Sequence, residues 1–105
     1  RRLVFVACTD HIQTLDAAHD GALLGRLDTG AGVDNIDYLA SSAELVVAAG
    51  RAAKITVARI DEHGSASVVS TGATAPGSRN AVVDASGAVY VPDPANGALL
   101  VLSRK

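Results

Sequence analysis

The chain has 105 residues, enough for one ordinary domain, and its single Cys8 excludes both an internal disulfide and a zinc site built from several cysteines. A net charge of −2 with no basic run excludes an electrostatic grip on nucleic acid, and no apolar run approaches the roughly 20 residues that span a bilayer. Apolar residues make up 49% of the chain but aromatics only 3%, so Ala, Val and Leu must fill the core.

The first element is Leu3–Cys8, LVFVAC, a continuous apolar run that predicts a strand buried on both faces. After the polar break Thr9-Asp10-His11, Ile12–Leu15 resumes, with Ile12 and Thr14 on one face and Gln13 and Leu15 on the other. His19-Asp20-Gly21 reads as a hairpin turn, because Gly tolerates positive φ and Asp is next best. Ala22–Leu27 is the third strand and Thr29–Gly32 a loop. Asn35–Leu39, Glu44–Ala49, Ile55–Ile60 and Ala66–Ser70 follow as four more strands, with His63-Gly64 turning the last pair. Thr71–Gly77 reads as a second loop. Asn80–Val83, Val89–Val91 and Leu99–Leu102 complete ten strands, with turns at Ser86-Gly87 and Asn96-Gly97.

The stretch VDNIDYLASSAELVVAAG, beginning at Val33, returns loosely as SRNAVVDASGAVYVPD from Ser78, and RLVFVACTD at Arg2 echoes its second half. Leu3 and Leu45 are 42 positions apart, Gly21 and Gly64 43, Leu45 and Val89 44, and Asn35 and Asn80 45. Four-stranded propeller blades recur at about that period. A single such sheet cannot cover both its faces, so neighbours must stack on it. The rival is a helix, since Ser41-Ser42-Ala43-Glu44 looks like a capping box leading into LVVAAGRAAK. The aligned copy, Ala88–Ala98, contains Pro92, Pro94 and Gly97 and cannot be a regular helix, so the shared structure is strand.

The expected fold is therefore all-β: propeller blades made of four-stranded antiparallel meanders, with an incomplete ring in one chain. Lettering the strands A to D from the inside outward, residues 1–31 form a blade lacking its inner strand, 32–75 a complete blade, and 76–105 a blade lacking its outer one. Open sheet edges invite pairing with other chains. The expected partners are further blades of a longer parent or a second copy of the chain, beside a protein or small-molecule ligand. The opening Arg1-Arg2, without Met, reads as a processed or trimmed piece.

LVFVACTDHIQTLD resembles the YVTN repeat of bacterial YncE-like propellers, whose units run roughly VYVANsgsnTVSVID. The resemblance continues through GAGVDNIDY, ELVVAAGRAAKITVARID and PGSRNAVVDASGAVYVPDPANGALLVL. It implies seven blades in a complete member and a periplasmic or secreted location. It is specific for fold and poor for function, since related propellers include binding modules, scaffolds and enzymes.

In such a meander the D-to-A and B-to-C loops share one end of the molecule. That end collects Thr9, Asp10, His11, Asp34, Asn35, Arg51, Lys54, Arg79, Asn80, Asp93 and Asn96; the other collects His19, Asp20, Asp61, Glu62 and His63. Asn35 and Asn80 occupy the same place in successive repeats and can aim carboxamide oxygens at a shared sugar or cation, with Asp34 or Asp10 adding charge. The plainer reading has each Asn holding its own loop backbone. The similarity to lactonase-like propellers implies a divalent metal, such as Ca2+, at Asn35, Asn80 and Asp34. Arg79 can clamp a carboxylate or phosphate, or pair with Asp34 or Asp37. His11 beside Asp10 is a candidate base or ligand, but neighbours on a strand point to opposite sides and should not form a dyad. Cys8 is expected as a small buried hydrophobe. No phosphate loop, nucleophile elbow or HExxH motif occurs. The expected function is a non-catalytic repeat module that binds or scaffolds through the channel end, the alternative a lactonase-like metal-dependent hydrolase.

Overall fold

Glu44–Ala49 is buried at every position, the mark of a strand covered on both sides. The computed structural model describes residues 3–78 and 80–102, and of Asp34 the backbone alone. All ten expected strands are present: β1 Leu3–Ala7, β2 His11–Asp16, β3 Ala22–Asp28, β4 Val33–Leu39, β5 Glu44–Ala49, β6 Lys54–Ile60, β7 Ala66–Ala73, β8 Val82–Val83, β9 Val89–Asp93 and β10 Ala98–Leu102. They form three antiparallel meanders, β1-β2-β3, β4-β5-β6-β7 and β8-β9-β10.

The sheets stack with the four-stranded one in the middle. Ile12 and Leu27 of the first sheet pack on Val33, Leu45, Val47, Ala49, Ala58 and Ile60 of the second. Val46, Ala48, Ile55 and Val57 turn the other way, onto Ala81, Val89 and Val91. Successive residues of β5 thus feed two cores, and the unbroken apolar run Leu45–Ala49 follows. The Phe5 and Tyr38 rings meet across the first pair of sheets, centroids 5.4 Å apart.

Several expectations are corrected. β1 is not buried on both faces: the first sheet is an outer layer, and Val4 is 44% exposed. Cys8 lies just past β1 and is half-buried. The segment Thr71–Ala73 continues β7, because Thr71, Gly72 and Ala73 stay in register with Thr56, Ile55 and Lys54. Between β2 and β3 a 3-10 turn, Ala17–His19, precedes Asp20 and Gly21 at positive φ, capped by the Asp16 carboxylate on Ala18 N–H at 3.0 Å. Glu44 starts a strand, and its carboxylate accepts from Ser42 Oγ at 3.0 Å.

The loops at one end are zipped together. Thr29 and Gly32 N–H donate to the carbonyls of Asp10 and Thr9, Gly50 and Ala52 N–H to those of Gly32 and Ala31, and Thr74 and Gly77 N–H to those of Ala53 and Gly50. The sheets are therefore joined by backbone hydrogen bonds at the end where these connections lie.

Candidate functional site

Of the residues expected at the loop end, six were candidates to hold a ligand, and the structure separates Asp10 and His11 from Asn35 and Asn80. Ile12 and Thr14 face the core, so His11 and Gln13 lie on the outer face of the first sheet. There His11 Nδ1 meets Asp10 Oδ1 at 2.9 Å, and His11 Nε2 meets Gln13 Nε2 at 3.4 Å. With Nδ1 protonated, Nε2 is the acceptor that the Gln13 amide needs. The expectation that Asp10 and His11 form no dyad is overturned. β2 begins at His11, so Asp10 sits in the bend before it, where strand alternation does not apply. The bond to His11 holds the Asp10 carboxyl below its ordinary value, with smaller help from the Arg26 charge.

Asn35 lies elsewhere. It is exposed on β4, past a bulge between Val33 and Asn35. By alternation it shares the side of β4 with Asp37, whose Oδ2 accepts the Val83 N–H at 2.9 Å and so ties the second sheet to the third. Asn80 is exposed and lies two residues before β8, which is shorter than the expected strand Asn80–Val83, with buried Ala81 between them. Asn35 and Asn80 thus belong to one region, between the second and third sheets, while Asp10 and His11 belong to another. Neither carboxamide hydrogen-bonds a described residue. Arg79 and the Asp34 side chain lie outside the described residues. Among the described residues no group of three or more His, Cys, Asp or Glu comes together.

The opposite end is built from Asp-anchored turns. Asp61 Oδ1 accepts from His63 and Ser65 N–H, both at 2.9 Å, which lowers its carboxyl chiefly through Ser65. Asp84 does the same with Ser86 N–H and Ala88 N–H, and adds Ser86 Oγ at 2.6 Å and Tyr90 OH at 2.8 Å. These bonds are local, and they hold hairpins closed.

A groove of about 830 Å³ runs beside β10. It is lined by Ile55, Val57 and Val89, by Val69 to Gly72 of β7 and by Val101 and Leu102 of β10, with Glu44 and Arg59. It exists because β7 has no opposite number in the three-stranded third sheet. Strand counting located this asymmetry. It missed the buried oxygens of Thr74, Ser78 and Asp93, described below, whose signal lay in comparing the two copies of the repeat position by position.

No protein-family model matches the chain, and a search of curated proteins finds none that matches it.

Proposed function

We propose that the three sheets are blades of a β-propeller and that the chain is a non-catalytic repeat module that binds a partner through its zipped loop end. The observation that carries this reading is the joining of successive sheets at that end by backbone hydrogen bonds, from Thr9 through Gly32 to Gly50 and Gly77. A rigid end with side chains projecting from it is what loops on a scaffold need in order to recognise a ligand. The likeness to YVTN repeats points the same way. The hydrolase alternative has less support, because it needs an acidic group beside Asn35 and Asn80, and Asp10, one of the two carboxylates considered for that place, bonds His11 on the outer face of the first sheet.

The test is an amide-resolved NMR titration of the isotope-labelled chain with a library of small polar fragments and sugars. Shifts should concentrate in 8–11, 29–35, 50–54 and 74–80. Shifts centred on the turns at Asp61 and Asp84 would reject the loop end as the binding surface.

A further inference from the structure

Between the second and third sheets the internal repeat changes chemistry at one place. Val33 and Ala49 are partners across β4 and β5, and both are buried in the apolar core. The repeat interval, 45 positions for one and 44 for the other, carries Val33 onto Ser78 and Ala49 onto Asp93. The backbone supports the alignment: Gly32 and Gly77, each one residue earlier, have φ of +83° and +87°. A Val–Ala pair in one sheet thus becomes Ser–Asp in the next, and burial is unchanged, with Ser78 at 0% and Asp93 at 5% exposure.

Ser78 Oγ and Asp93 Oδ1 are buried and hydrogen-bond no described residue, and neither does the buried Oγ1 of Thr74, four positions before Ser78. Ser78 closes a Pro–Gly turn through its N–H to Ala75 O at 3.0 Å. That turn is pinned by Gly77 N–H to Gly50 O at 3.0 Å and Thr74 N–H to Ala53 O at 2.8 Å. A Cβ on Gly77 would meet Pro94 Cγ at 3.4 Å, so the turn lies against the residue that follows Asp93. Asp93 itself continues the inward side of β9 after Val89 and Val91, and its Oδ2 accepts from Asn96 Nδ2 at 2.8 Å.

Three buried oxygens without partners among the described residues, one of them on a carboxylate, cost free energy unless something satisfies them. Ordered water would serve the two hydroxyls. It would not offset the charge of a buried carboxylate whose one side-chain partner among the described residues is the neutral Asn96. A hard cation does both, since Ca2+ takes carboxylate, hydroxyl and water oxygens alike. We infer that Thr74, Ser78 and Asp93 form a cation site of the Ca2+ class, closed over by the 74–78 turn. It shares no residue with the pair Asn35 and Asn80, and it stands whether or not the loop end binds a ligand. With one carboxylate the affinity falls in the weak range, half-saturating at about 0.1–1 mM.

The experiment is thermal melting and calorimetric titration of the purified chain with CaCl2 up to about 10 mM against a chelator control, at constant ionic strength. Tm should rise saturably with Ca2+. Asp93→Asn should weaken the midpoint at least tenfold, and Ser78→Val, which installs the residue of the other repeat, should also weaken it while keeping the chain folded in chelator. Asp10→Asn should keep it. A wild-type Tm that does not move with Ca2+, no calorimetric Ca2+ binding, or an undiminished response in Asp93→Asn or Ser78→Val each overturns the site and leaves ordered water as the partner of these oxygens. Direct calorimetry on the wild type decides the matter even if Asp93→Asn fails to fold.

Discussion

Asp84 takes four hydrogen bonds within one hairpin, from the hydroxyls of Ser86 and Tyr90 and from the N–H groups of Ser86 and Ala88. Ser86 Oγ and then Tyr90 OH are the chief causes that bring its carboxyl down to about 2, and the same bond raises the Tyr90 phenol. The folded value lies below the ordinary Asp value of about 3.9, so the stabilisation is fully present above that pH and disappears as pH falls through about 2. From the alkaline side the sign reverses. The Tyr90 contribution is present below the ordinary phenol range and is lost as pH rises through the raised value. Asp84→Asn should therefore flatten the fall of Tm between about pH 4 and pH 2 relative to the parent. An unchanged slope in an acid melting series would mean that this hairpin does not contribute. The Asp10–His11 bond teaches a related lesson. Which side a residue points to follows from alternation only inside a strand, and Asp10 lies one residue outside β2.

Among the elements, four of the turns share one form. The N–H of Ala43, Ala53, Gly64 and Gly87 donates back three residues, to Ala40, Gly50, Asp61 and Asp84, and all four donors have positive φ. Two of these turns therefore place Ala where the backbone is left-handed, at φ 55° for Ala43 and 53° for Ala53. An L side chain there costs roughly 1–2 kcal/mol, offset in part by the greater unfolded-state freedom of Gly. Ala53→Gly should raise stability by about 0.5–1 kcal/mol in urea denaturation. The reverse exchange at the matching place should do harm twice over. A Cβ on Gly64 would meet Leu24 Cδ1 at 2.7 Å, so Gly64→Ala adds overpacking to strain and should cost about 2–4 kcal/mol. Equal and small effects at both positions would show that φ does not govern these turns.

For the molecule as a whole, the stacking that buries β5 leaves two faces uncovered. On the third sheet Val82, Tyr90 and Val101 form one row across three strands, with Pro92 and Leu99 beside it. Val82, Leu99 and Val101 are each more than half exposed. An apolar face of this kind favours self-association, and among the described residues β10 is an edge strand with no charged side chain. Multi-angle light scattering should find species heavier than the 10.6 kDa chain, growing with concentration. The double variant Leu99→Lys, Val101→Lys should return the mass to that of one chain. A monodisperse single chain in the parent protein at every concentration tested would contradict this.

The number, order and places of the strands were legible in the chain itself, because β-branched runs, Pro and Gly act through φ, ψ and local sterics that each residue carries with it. The turns at Gly64 and Gly87 were legible for the same reason. Coverage was not. LVFVA and ELVVAA look alike as sequences, yet β1 lies on an outer sheet and β5 between two, since burial depends on what stacks above and below. In the same way the carboxylate of Asp93 reads as one more polar loop residue until the third sheet folds onto the second and removes it from water.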